Sequence, residues 1–230
     1  MPIGFYDGYF SYLIFMVPAY LLVLIIQIRL KSTISKYSSV NVSSGMTGAD
    51  SAQLVLSRGG VVGVPVTPIN GELTDNFNPT TNTISLSTPV YGVKSVTAVG
   101  VAAHEAGHAI QHFEDYGPAK LRTAAVKICN IGSRLSFPLI IIGFIMSFEP
   151  LIIAGIICFG FVVMFQLITL PVEFNASRRA VAILGQSGTL TSDELKGVKK
   201  VLNAAAMTYV GALATSVFQL LYYMSRFNRR

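Results

Sequence analysis

Charged residues fall away in four stretches of this chain, and those stretches predict its longest helices. Phe10 to Ile28 contains no charge and is long enough to cross a bilayer as a helix. Two further apolar runs, about 131 to 148 and 151 to 170, are separated by Glu149-Pro150. Proline beside a charge divides one long apolar stretch into a helical hairpin. Pro138 falls in the first of these runs, as a kink or in a first turn, and Arg134 lies near its start, where a long side chain can snorkel to the interface. Ala204 to Met224 is also uncharged but rich in Ala, Thr, Ser and Gly. That composition suits either a fourth membrane helix or a buried helix packed closely on the others.

Between the first and second runs the pattern is that of a soluble region. Thr47 and Asp50 have capping-box spacing and predict a short helix to about Ser57, stopped by Gly59-Gly60. Val61 to Ile69 and Thr83 to Ser87 are β-rich and bounded by Gly, Pro and Asn, as hairpin or edge strands are. Pro65 and Pro68 confine the first of them to an edge. Ser95 can cap a helix running through residues 104 to 108 to about Phe113. Residues 171 to 203 are polar again, with an amphipathic helix near 191 to 203. The chain thus divides into a tail (1–9), a first membrane helix (10–30), a soluble region (31–130), a membrane hairpin (131–170), a second soluble segment (171–203) and a fourth membrane or buried helix with a basic tail (204–230).

Composition strengthens the membrane reading. The 230 residues are 52% hydrophobic and only 12% charged, with a mean hydropathy of +0.58. A globular surface ordinarily needs about a quarter charged residues. The net charge of +6 is carried beside the apolar runs, at Arg29, Lys31 and Lys36, at Lys120, Arg122, Lys127 and Arg134, and at Arg178, Arg179, Lys196, Lys199 and Lys200. This suits a lipid bilayer with anionic headgroups on the cytoplasmic side. No basic stripe interleaved with aromatics is present, so nucleic acid is not an expected partner.

No basic segment precedes the first run and no small-residue cleavage site follows it, which predicts a retained anchor. Asp7 before it and Arg29, Lys31 and Lys36 after it place residue 30 onward in the cytoplasm, beneath the plasma membrane. The basic end, Arg226, Arg229 and Arg230, opposes the outside carboxyl terminus that four spans would give. Two cysteines, Cys129 and Cys158, in apolar surroundings argue against a disulfide framework. No pattern specifies an oligomeric state.

The chemistry is concentrated in HEAGH. On a helix, residues four apart share a face, so His104 and His108 can present ring nitrogens to one zinc ion. Glu105, one step round, can take a proton from zinc-activated water as a general base. The chain has three histidines, and two of them frame this motif. A catalytic zinc needs a third protein ligand. His112 continues the series, but it stands about 12 Å from His104 along a straight helix axis.

Topology favours Glu173 in LPVEFNASRRA. A hairpin leaving the cytoplasmic side returns to it, on the side of His104 and His108. The alternative is an interfacial carboxylate paired with Arg178 or Arg179. Glu72 and Asp75 sit in a Gly- and Asn-rich loop and read as a solvated turn. Asn175 and Ser177 are candidates to orient the histidines, although such residues commonly cap helices. Donors for a transition-state oxyanion include His112, Arg178 and Tyr209, and also Tyr116. Residues 82 to 87 would offer a strand edge to an extended peptide.

The stretches SSGMTGAD (43–50), GELTDNFNP (71–79), AVGVAAHEAGHAIQH (98–112), LITLPVEFNASRRA (167–180) and KKVLNAAAMTYVGA (199–212) resemble the YugP-type family of membrane zinc metallopeptidases over nearly the whole chain. More distantly the chain is similar to HtpX-type and prenyl-protein endopeptidases, where a downstream E-aromatic-x-A-D segment follows the hairpin. Here that segment reads Glu173-Phe174-Asn175-Ala176-Ser177, with serine in place of aspartate, so the role of that position does not carry over.

The apolar runs and β-rich stretches predict a mainly α, polytopic membrane protein with three or four transmembrane helices and a small α+β zinc domain, and the resemblance implies that this domain is gluzincin-like. It implies one Zn2+ per chain held by His104, His108 and Glu173, with Glu105 as base. The expected substrate is a peptide or membrane protein. The other class of function compatible with the residues is a catalytically inactive membrane scaffold or chaperone-like protein with a structural metal site.

Overall fold

A computed structural model describes residues 3–227 of the chain. Its elements, in order, are α1 (Ile3–Ser38), α2 (Gly48–Arg58), β1 (Val66–Ile69), β2 (Asn76–Asn78), β3 (Thr83–Ser87), α3 (Thr88–Tyr91), α4 (Val96–Phe113), α5 (Gly117–Ile145), α6 (Glu149–Ser187) and α7 (Ser192–Phe227). The protein is mainly helical, and among the described residues α1, α5, α6 and α7 are long and apolar enough to cross a membrane. It separates into two compact units.

One unit comprises residues 1–27, 121–170 and 208–230. Its apolar side chains divide into two sets. Met16, Ala19, Ile26, Ile140, Ile152 and Val163 are buried, whereas Ile14, Leu21, Leu24, Ile142, Ile157 and Phe161 are exposed. Glycines bring α5 and α6 into close contact. A Cβ at Gly132 would lie 3.0 Å from the Cys158 carbonyl oxygen, and one at Gly155 would lie 2.6 Å from Ile140 Cγ1. Small residues at crossing points are how helices without a hydrophobic driving force between them gain contact. The two helices meet across residues 146–148, where Ser147 adopts a positive φ of 53°, and Glu149 places its charge in the first turn of α6. The basic end at Arg229 and Arg230 lies outside the described residues.

The other unit comprises residues 28–120 and 171–207. Its core is built on α4, whose Val99, Ala102, Ala103, Ala106 and Ile110 pack with Val55 and Leu56 of α2, Ile84 and Leu86 of β3, Ala180 and Leu184 of α6, and Val198 and Leu202 of α7. Helices α2 and α4 start where side chains replace missing backbone partners. Thr47 and Asp50 form a reciprocal capping box at α2, and Ser95 Oγ accepts from the Ala98 N–H at α4.

The sheet corrects the sequence reading in three respects. Only Val66–Ile69 of the first β-rich stretch is strand, because Gly63 takes a left-handed φ of 75° that ends extended backbone ahead of it. A third strand, β2, arises where a solvated turn was expected, and Asp75 beside it accepts hydrogen bonds from the N–H and hydroxyl of the buried Ser87 at 2.8–3.0 Å. The order is β1-β3-β2, with β1 parallel and β2 antiparallel to β3. The 83–87 strand is therefore central, with neighbours on both sides, and offers no edge to an added peptide strand. Pro65 and Pro68 do sit at an edge, in or next to β1.

Two helices run further than their polarity suggests. α6 continues through Pro171 to Ser187, so Asn175 and Ser177 stand in mid-helix and cap nothing. Val172, Ala176, Ala180 and Leu184, four residues apart and at most 1% exposed, form a buried stripe that holds this extension against the core. The amphipathic segment near 191–203 and the apolar one after it are a single helix, α7.

Candidate metal centre

α4 carries the HEAGH motif in its middle. The helix persists to Phe113, so His104 and His108 share one face and His112 lies a further turn on. Gly107 lets α6 approach that face: a Cβ there would fall 2.5 Å from the Ala176 carbonyl oxygen. This proximity sets Glu173 over the two histidines. Glu173 Oε2 lies 3.3 Å from His104 Nε2 and 3.6 Å from His108 Nε2, and the two Nε2 atoms are 3.1 Å apart. Donors held tetrahedrally at zinc's usual bond lengths of about 2.0–2.1 Å would be about 3.3 Å from one another. The three separations bracket that value, so the residues fit a zinc ion. Among the described residues, His104, His108 and Glu173 are the group of side chains able to share a metal.

The burial pattern fits as well. Glu173 is 5% exposed by side chain, and the histidines 16% and 14%. A buried carboxylate is costly unless positive charge compensates it, and a divalent ion would do so. The histidines are partly exposed, as the open position of a catalytic zinc would require.

Further side chains surround the donors. Ser177 Oγ lies 3.0 Å from His104 Nδ1. Gln111, which the sequence reading did not single out, lies 3.0 Å from His108 Nδ1 and also bonds the Val172 carbonyl and Asn175. Its spacing, three residues after His108 on a helix, was the available signal. Arg179 bonds Asn175 at 2.7 Å and Glu114 at 2.6 Å. Glu105 is nearly buried, and its Oε2 accepts from the Phe77 N–H of β2 at 2.9 Å.

His112 is exposed, with its ring 5.7 Å from that of Phe77, and it is not in the metal-ligand group. Arg178 is exposed. Tyr116 has its ring 5.8 Å from the Arg179 guanidinium. Tyr209 belongs to the apolar unit.

A family model described as "Putative neutral zinc metallopeptidase" matches residues 12–228. The chain belongs to this zinc metallopeptidase family. It is also 46% identical over 201 residues to the "Putative membrane protease YugP" of Bacillus subtilis (strain 168), covering 87% of this chain and 89% of that protein. No solved structure matches. Membership of the family implies zinc, and the donor set is chemically suited to it.

Proposed function

We propose that this chain is a membrane-embedded zinc-dependent peptidase in which His104, His108 and Glu173 hold one zinc ion and Glu105 is the general base. The observation that carries the proposal is the convergence of three ligand atoms within 4.8 Å of one another, with a carboxylate on the next helical position. Zinc in this site supplies Lewis-acid polarisation of a peptide carbonyl and of the attacking water.

The protein's own part follows from the geometry. Glu105 is on the helix of the two histidines but outside the ligand set, as a base must be. The Phe77 N–H holds one of its oxygens, which orients the carboxylate and leaves the second oxygen to take the proton. After attack the same carboxyl can deliver that proton to the departing amine. Four apolar helices support insertion in the bilayer, and Arg29, Lys31 and Lys36 after the first apolar run support a site on the cytoplasmic side of the plasma membrane. Peptides or membrane proteins are the substrates that fit this placement.

The test compares zinc content and cleavage of an unfolded membrane protein by wild type and Glu105→Gln. Both should hold one zinc per chain, and the variant should cleave about 10²–10⁴-fold more slowly. Equal cleavage by both would remove Glu105 from the mechanism. Zinc without cleavage in either would favour a scaffold with a structural metal.

A further inference from the structure

We infer that Gln111 is a positioning residue that determines which nitrogen of His108 carries its proton, and thereby turns the Nε2 lone pair toward the metal. The inference rests on the reading of His104, His108 and Glu173 as zinc ligands. It follows from which groups in the surrounding network can only donate and which can only accept.

Gln111 is 1% exposed, so its amide must find partners within the protein. One end of the amide lies 2.8 Å from the Val172 main-chain carbonyl and 2.9 Å from Asn175 Oδ1. A carbonyl has no proton to give, so the end facing Val172 is the NH₂ group. Asn175 repeats the constraint independently. Its amide atom lies 2.7 Å from Nε of Arg179, and a guanidinium has donors but no acceptor. The Asn175 oxygen therefore faces Arg179 and Gln111.

Both partners thus turn the Gln111 NH₂ away from His108 and leave Oε1 facing His108 Nδ1 at 3.0 Å. An amide oxygen accepts only, so Nδ1 must carry the proton. A neutral imidazole has one N–H, and the lone pair then falls on Nε2. That is the atom 3.1 Å from His104 Nε2 and 3.6 Å from Glu173 Oε2. Which nitrogen of a metal-binding histidine is free is set by the bond the other nitrogen makes.

The chain of bonds has a direction throughout. Glu114 holds Arg179, Arg179 donates to Asn175, Gln111 donates to Asn175 and accepts from His108. His104 differs, because the Ser177 hydroxyl beside its Nδ1 can either donate or accept. The two histidines are therefore unequally constrained, and Gln111 governs only His108.

The experiment uses full-length, detergent-solubilised protein labelled with ¹⁵N-histidine, whose three histidines give separable long-range proton–nitrogen patterns. In metal-free wild type, His108 should be the Nδ1–H tautomer. Finding Nε2–H there would overturn the proposal without any variant. Gln111→Leu should release the His108 preference, leave the His104 pattern unchanged and weaken zinc binding, measured by chelator competition, by about 10–100-fold. Asn175→Asp keeps an acceptor between Arg179 and Gln111, so the Nδ1–H tautomer of His108 should persist.

A Gln111→Leu protein with wild-type tautomer and affinity would refute the assignment, as would Asn175→Asp behaving like Gln111→Leu. Should the wild type take up no zinc at all, the ligand reading fails, while the His108 tautomer still decides the role of Gln111.

Discussion

The main-chain N–H of Phe77 donates to Glu105 Oε2 at 2.9 Å, so the short strand β2 is joined directly to the carboxylate of HEAGH. Pairing explains why that N–H is available. Phe77 is opposite Ile84, and the Ile84 N–H is turned the other way, toward the Pro65 carbonyl. Ile84 and Phe77 therefore form a non-hydrogen-bonded pair, and the Phe77 N–H points out of the sheet. Phe77→Pro removes the donor at an edge position where the sheet loses no ladder bond. Its cleavage rate should fall well below that of Phe77→Ala, which keeps the N–H, while zinc content stays at the wild-type level in both. Similar rates for the two variants would show that the β2 contact with Glu105 plays no part in cleavage.

Loss of Glu173 and loss of His112 should differ sharply. Glu173→Ala removes one of three converging donors and should weaken zinc binding by more than the about 10–100-fold typical of losing a supporting group. His112→Ala, at an exposed ring outside the ligand group, should leave zinc stoichiometry unchanged. Metal analysis after dialysis against a weak chelator reads both, and zinc loss in His112→Ala would reassign the third ligand.

Gly107→Ala tests the close approach of α4 and α6. Alanine would gain up to about 1 kcal/mol in helix propensity. Its Cβ would however meet the Ala176 carbonyl oxygen at 2.5 Å and the Ala176 Cα at 3.2 Å, and backbone yields less readily than a side-chain end. Overpacking of this kind costs about 1–3 kcal/mol, so net destabilisation should appear as a lower unfolding midpoint. Zinc binding should weaken too, because α6 carries Glu173. A variant of wild-type stability and zinc affinity would show that the helices can separate without effect.

The α2 capping box should give a small, signed pH dependence. Hydrogen bonds from the Thr47 hydroxyl and then the Thr47 N–H hold the Asp50 carboxyl below its usual range. A carboxylate with a depressed folded pKa contributes stability that is fully present above its unfolded value of about 3.9. The contribution is lost as pH falls through the depressed folded value. Asp50→Asn should reduce the difference in unfolding midpoint between neutral and acid pH, and Thr47→Ala should cost about 0.5–2 kcal/mol at neutral pH. An unchanged acid dependence in Asp50→Asn would assign it to other carboxylates.

Much of the architecture was legible along the chain because its signals are local. The four apolar runs, the caps at Thr47 and Ser95, the break before Glu149 and the spacing of HEAGH each depend on residues within one or two turns. Glu173 was reachable because a helical hairpin returns the chain toward its starting end. The local signals failed where a distant partner decides. β2 has only three residues, Asn76–Asn78, and forms a strand because β3 lies beside it. The polar run after Leu170 stays helical because Val172, Ala176, Ala180 and Leu184 find a core to bury them.

The same division runs through the metal centre. Sequence alone determined that two histidines share a helical face with a carboxylate between them, since helix geometry dictates it. Tertiary structure decided that Glu173 comes within 3.3–3.6 Å of both. It also decided that Gln111, an unremarked residue one turn on, holds His108. Those outcomes require the approach of α6 to α4 at Gly107, a contact between residues 69 positions apart, which no periodicity within either helix encodes.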